Sequence, residues 1–221
     1  YKRQAIADHG PTRTATAEYQ GFSKSFIAPP ITLKPYLPAY SRREALKRLG
    51  LGRGKYCLVS LGGAFGNWDQ ILWLIKEHAQ RNRIKLIWAQ SPLSQPPDSS
   101  SETIVRQFYP FSPYLEAFSG VISAAGYNSF HELMMGYGCP VLFAPTNLER
   151  LDDQEARATY AGDKGWADVI YASRPDEHSE IIANFMARLR KGARITSRPA
   201  TFANQSEMTK SIAEIAKTYV Q

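Results

Sequence analysis

The stretch Gly120-Val-Ile-Ser123-Ala-Ala-Gly126-Tyr-Asn-Ser129-Phe-His-Glu132-Leu-Met-Met-Gly-Tyr-Gly138-Cys-Pro140-Val-Leu-Phe-Ala144 decides the fold class. It opens on an apolar run of strand length and passes through a glycine turn into a segment with helical spacing. Gly138 and Pro140 then punctuate the return to a second apolar run. Strand, covering helix, strand is the βαβ unit of a parallel sheet, whose strands read as continuous apolar runs because both faces are buried. Upstream, the same alternation predicts a strand over 56–61, a helix over 68–80, strands over 85–89 and 104–109, and a short helix containing Tyr114, Leu115 and Phe118. The 128–137 helix leads to a strand over 140–144, a helix over 152–163 and a strand over 167–171. Apolar strands alternating with amphipathic helices predict an α/β fold, a doubly wound, Rossmann-like parallel sheet.

The flanks read differently. Residues 1–40 show little sustained periodicity, and Pro29, Pro30, Pro35 and Pro38 interrupt them, which predicts an extended lead-in or linker. The first residue is Tyr1, so the chain is expected to be a processed product or part of a longer polypeptide. Ser41 then offers a helix N-cap with Glu44 three residues on, and Gly50 ends the helix. Helical spacing returns over 177–190 and 206–219, with a basic, proline-containing loop between them.

A net charge of +7 and a pI near 9.4 suit an anionic partner: a nucleotide diphosphate, a phospholipid surface or a nucleic acid. The cations cluster modestly at Arg42, Arg43, Lys47, Arg48, Arg53 and Lys55, and at Arg188, Arg190, Lys191 and Arg194. They are not interleaved with an aromatic platform or a recognition motif, so no nucleic-acid partner is expected. Cys57 and Cys139 have neither CxxC spacing nor the numbers of a disulfide framework, which suits a reducing compartment, expected to be cytoplasmic. No stretch approaches the roughly 18 apolar residues of a membrane span. Peripheral membrane contact stays open, through a segment outside this chain.

In a doubly wound sheet, ligands bind beyond the C-terminal ends of the strands, so the residues after each strand carry the functional reading. Gly62-Gly63-Ala64-Phe65-Gly66 allows backbone amides to approach an anion, although a plain turn reads the same way. It lacks the GxGxxG spacing of a dinucleotide site, and the GxxxxGK[ST] phosphate loop is absent. At Gly126 the chain can turn close to a ligand, while Asn128 and Ser129 can cap the helix and leave N–H groups facing a diphosphate. Glu132 lies about one turn further, where a carboxylate accepts from a ribose diol. After the 140–144 strand, Asp153 and Gln154 suit sugar hydroxyls, against which stands ordinary helix capping by Asp152 or Asp153. His131 adjoins Glu132, but neighbours on a helix point in different directions, and packing is the expected role.

The order Gly-Gly loop, S-x-x-G-x(5)-E-x(5)-G-x-P, F-x-P and D-x-Q-x-x-x-A resembles the C-terminal, donor-binding domain of GT-B glycosyltransferases, and most closely the MurG-like branch, glycosyltransferase family 28. The resemblance covers about residues 42–171. It implies that 41–221 form a nucleotide-sugar-binding domain, half of a GT-B fold, with Gly126, Tyr127, Asn128 and Ser129 at the donor diphosphate and Glu132 at the ribose. Asp153 and Gln154 would touch the transferred sugar, and Gly62, Gly63 and Ala64 would face the interdomain cleft. The loop near Phe111–Pro113 would cradle the base, and Arg150 is a further diphosphate candidate. Two positions depart from the MurG pattern: Ala125 stands where it has serine, and Arg157 where it has asparagine.

The implied activity is transfer of a hexosyl group from a UDP-GlcNAc-like donor without a metal or other cofactor. Acceptor and catalytic base would belong to an N-terminal domain or a separate acceptor-binding subunit. A nucleotide-sugar hydrolase or epimerase on the same scaffold, or a non-catalytic partner-binding domain, are the alternatives.

Overall fold

The computed structural model describes residues 5–7, 10–12, 14–17, 24–27, 37–61, 69–90, 103–135, 137–146 and 153–198. Within the stretch expected to be an aperiodic lead-in, β1 (Ala5–Ala7) pairs antiparallel with β2 (Gly10–Thr12), and β3 (Thr14–Ala17) with β4 (Lys24–Ile27). Strands of three and four residues are too short to display a period. Helix α1 (Arg42–Arg48) starts as expected, with Ser41 Oγ accepting from the Glu44 N–H at 3.4 Å.

The main sheet consists of β5 (Tyr56–Ser60), β6 (Lys85–Gln90), β7 (Thr103–Gln107), β8 (Gly120–Ser123), β9 (Val141–Phe143) and β10 (Asp168–Val169). Its spatial order is β7-β6-β5-β8-β9-β10, and every pairing is parallel. Counted from β5, that is strand order 3-2-1-4-5-6, the doubly wound arrangement of a Rossmann-like fold. The chain runs outward from β5 in one direction, then returns to lay β8 against β5's other edge, pairing Leu58 with Val121 and Ser60 with Ser123. Between β5 and β8 the winding reverses, and the crevice at that reversal is where such sheets bind ligands.

Alternation along the strands divides the core into two layers. Tyr56, Leu58, Val121, Val141 and Phe143 pack on one face with α3 (Tyr127–Met134) and α4 (Gln154–Asp163). Cys57, Val59, Ile122 and Leu142 pack on the other with α2 (Asp69–Arg81) and α5 (His178–Lys191). Burial pushes the Cys57 thiol well above its usual range, so it is an inert core residue.

In the main domain β10 is shorter than the expected 167–171 and β7 ends at Gln107 rather than at 109, and two helical segments also differ. The segment Ser112–Ala117 is a 3-10 helix that ends before Phe118. Helix α3 stops at Met134 rather than reaching Tyr137. Tyr137 instead turns into the core, where its hydroxyl donates to the Phe118 carbonyl at 3.2 Å, taking it off the helix axis. The helix expected over 206–219 lies outside the described residues. After α5 the chain crosses back, and buried Arg198 donates to the carbonyls of Trp166 at 2.9 Å, Cys139 at 2.8 Å and Tyr137. Burial lowers the pKa of this guanidinium to about 10, which leaves it charged at neutral pH.

Candidate functional site

The site follows from what the chain does as it leaves β8 at the winding reversal. Ala124 N–H donates to the Ser60 carbonyl at 3.4 Å and Ala144 N–H to the Ser123 carbonyl at 2.8 Å, so the ends of β5, β8 and β9 are tied side by side. Ala125 then takes a left-handed conformation, φ +60°, and Gly126 is the N-cap of α3 with φ −56° and ψ 149°. The sharp turn assigned to Gly126 on the sequence is therefore made one residue earlier, by Ala125.

Gly126 needs no special φ, and a Cβ added to it would meet nothing within 4 Å. Neither backbone conformation nor packing among the described residues requires glycine here. Its effect is to leave the helix entry open to close approach.

The first intrahelical bond runs from Phe130 N–H to the Gly126 carbonyl at 2.8 Å. Tyr127, Asn128 and Ser129 form the first turn, where N–H groups have no acceptor within the helix. Asn128 and Ser129 lie inside the helix rather than capping it: the cap is Gly126, and it makes no side-chain bond to the turn. The turn also holds no acidic residue, whereas α1, α4 and α5 carry Glu44, Glu155 and Glu180 there. The positive end of the α3 dipole is thus left without a carboxylate from its own first turn. Asn128 is exposed and Tyr127 and Ser129 half-buried, so the turn faces outward.

Glu132 lies four residues beyond Asn128 on the same helical face, with only 4% of its surface exposed. His131 is fully buried, its ring edge-on to Tyr127 at 4.6 Å and to Phe130 at 5.1 Å, which is the packing role expected of it.

Beside this turn, α4 begins at the end of β9. Asp153 is exposed and caps α4, its Oδ1 accepting from the Ala156 N–H at 3.0 Å. The carboxylate expected at the sugar thus has the capping function weighed against that role. Buried Gln154 uses Oε1 to accept from the Thr146 N–H at 3.1 Å and hydroxyl at 3.0 Å, which fastens α4 to the strand end.

Of the proposed base cradle, Phe111 and Pro113 are buried, and their carbonyls accept from the N–H groups of Tyr114 at 2.9 Å and Tyr40 at 3.0 Å. Gly62, Gly63, Ala64 and Arg150 lie outside the described residues.

Sequence reasoning missed one residue at the site. Arg157 is fully buried, the largest such side chain described, and its Nε donates to the Ala125 carbonyl at 2.9 Å. The available signal was the pair of departures from the MurG pattern, which the structure brings into hydrogen-bond contact. The remaining buried histidines are accounted for locally: His78 contacts Ser179 Oγ at 3.1 Å and His178 the Tyr171 carbonyl at 2.7 Å. Among the described residues no helix is long and apolar enough to cross a membrane, and no group of three or more His, Cys, Asp or Glu is placed to hold a metal.

No protein-family model matches the sequence, and no curated protein matches it. Similarity is found among solved structures. The glycotransferase of kitacinnamycin is 21% identical with a TM-score of 0.47, over 64% of this chain and 39% of that one. CalG4, the calicheamicin glycosyltransferase, is 13% identical with a TM-score of 0.49, over 82% of this chain and 46% of that one. Os79 from O. sativa, solved in complex with UDP, is 16% identical with a TM-score of 0.49, over 79% of this chain and 43% of that one. This chain spans less than half the length of each of these proteins. Its own strand order and register define the fold.

Proposed function

We propose that this chain is the donor-binding half of a GT-B glycosyltransferase that transfers a hexosyl group from a nucleotide sugar, a UDP-GlcNAc-like donor being favoured. The observation that carries the reading is the entry to α3. It lies at the winding reversal, its Gly126 cap is open to approach, and its first turn has neither side-chain cap nor acid. A diphosphate meets both requirements of such a helix start, supplying acceptors for the amides and negative charge for the dipole. The ordered motifs from Ser123 to Ala158 point the same way. The reaction needs the departing diphosphate stabilised, and the amides from Gly126 to Ser129 do this without a metal. The acceptor and the group that deprotonates it belong to a second domain or subunit. Glu132 holds the ribose, and Asp153 and Gln154 border the sugar.

Titrating the chain calorimetrically with UDP, UDP-GlcNAc, GDP and dTDP-sugars tests the reading. Saturable binding of a nucleoside diphosphate is expected, and a folded chain that binds none of them overturns it. Glu132→Ala should weaken nucleoside diphosphate binding by roughly 1.5–3 kcal/mol, the worth of hydrogen bonds to a charged group. An unchanged affinity removes Glu132 from the ribose.

A further inference from the structure

The contact between Arg157 and Ala125 extends this assignment and rests on it. Ala125 is fully buried and left-handed, a conformation that is costly for a residue with a Cβ and persists only where its surroundings hold it. Arg157 sits in the first turns of α4, a different element, and reaches the Ala125 carbonyl through its Nε at 2.9 Å. Within a planar peptide the C=O and N–H point in opposite directions. A carbonyl of Ala125 held toward Arg157 therefore turns the Gly126 N–H away from it, and the α3 entry follows from that peptide plane. Arginine suits this place because its charge persists when buried and its planar fork fixes direction as well as distance.

We propose that Arg157 is a positioning residue for the donor: it locks Ala125 in the left-handed conformation and thereby aims the amides from Gly126 to Ser129 at the diphosphate. The two departures from the MurG pattern thus lie in one contact, the Arg157 guanidinium against the carbonyl of residue 125.

The test uses the full chain, with UDP as probe and 15N-labelled protein. Arg157→Lys keeps the charge but loses the Nε donor. It should raise the Kd for UDP about tenfold or more and move the free-state amide resonances of Gly126, Tyr127 and Asn128, with those of α5 unchanged. A role confined to core packing would lower the melting temperature without this localised signature. In the wild type, the Arg157 Nε–H should exchange slowly with solvent and shift when UDP saturates the site. This second measurement decides the matter if the variant does not fold: rapid exchange, or no shift at saturation, overturns the positioning role. Equal UDP affinity and unmoved amides in a folded Arg157→Lys also overturn it, with donor binding itself intact. Failure of the wild-type chain to bind any nucleoside diphosphate is the separate result that removes the functional reading.

Discussion

The two ends of the sheet are built on opposite electrostatic terms. At the end where the strands begin, α2 and α5 finish with cations in their last turns: Arg81 in α2, and Arg188, Arg190 and Lys191 in α5. Lys55, just before β5, donates to the Leu189 carbonyl at 3.5 Å and to that of Arg190. Arg42 donates to the carbonyls of Glu116 and Ala117 at 3.0 Å and of Gly54 at 2.8 Å. The two basic clusters, far apart in sequence, converge here around a groove of about 160 Å³ that both Arg42 and Arg194 line. At the opposite end α3 starts without acid or side-chain cap. At that end α4 and α5 answer their own dipoles with Glu155 and Glu180, and α3 alone lacks a first-turn acid. Net positive charge is therefore a poor guide to the ligand, because much of it gathers at the end away from the α3 entry.

The largest expected effect lies at the closed end, where the strands begin. Arg198→Ala removes donors from the buried carbonyls of Tyr137, Cys139 and Trp166, and a cost of about 3 kcal/mol is expected for leaving such groups unsatisfied. Chemical denaturation should show it as a lower midpoint with an unchanged slope, and loss below about 1 kcal/mol would mean that water replaces the guanidinium. Gly120→Ala comes next. Its new Cβ would lie 2.3 Å from Leu189 Cδ2 and 3.0 Å from the Pro140 carbonyl, both in packed surroundings. Overpacking of this kind costs typically about 1–3 kcal/mol. A variant as stable as wild type would show that the closed end is looser than its contacts imply.

How much of this was legible in advance depends on whether a feature is local. The continuous apolar runs at 56–60, 120–123 and 141–143 declare buried parallel strands, and Ser41 with Glu44 declares the start of α1. Strand order is not local. Only the pairing of β8 with β5 shows that the winding reverses beside Gly126, and no periodicity contains it. Glycine at 126 declares a turn close to a ligand, but only the fold shows that the left-handed residue is Ala125, with its carbonyl held by Arg157. The same limit hid the uses of Gln154 and Asp153, whose residue types fit a sugar as well as they fit a strand end or a helix cap.

Asp153 allows a finer cut at the open end. Asp153→Ala removes the α4 N-cap and should cost about 1 kcal/mol in thermal or chemical unfolding. If the carboxylate also borders the sugar, the variant loses affinity for UDP-GlcNAc while UDP affinity stays put. Equal losses for both ligands, or none for either, would confine the residue to capping. Smaller still is Glu44→Gln at the other end. It removes the exposed i,i+4 pair with Arg48, whose side-chain atoms approach to 3.0 Å. An exposed pair of this sort contributes no more than about 0.5 kcal/mol, less in high salt.

The smallest expected change in stability belongs to Gly126→Ala, and it is the sharpest test of the difference between the two ends. Gly120 and Gly126 lie at the two ends of β8, and the same added methyl meets a wall at one and no described atom within 4 Å at the other. At the α3 cap, alanine is worse than glycine by up to about 1 kcal/mol, because a Cβ hinders access to the first-turn amides. Against this, the unfolded chain loses conformational freedom worth about 0.4–1 kcal/mol. The two terms oppose each other, and unfolding should change by less than about 0.5 kcal/mol. Binding has no such compensation. On the proposed reading the methyl takes the space through which a diphosphate would reach the amides, and losing one charge-assisted hydrogen bond of about 1.5–3 kcal/mol should raise the Kd for UDP at least tenfold. Unchanged stability with weakened UDP binding separates the open end from the closed one by a single methyl group, whereas unchanged binding would mean that the diphosphate does not approach α3 across Gly126.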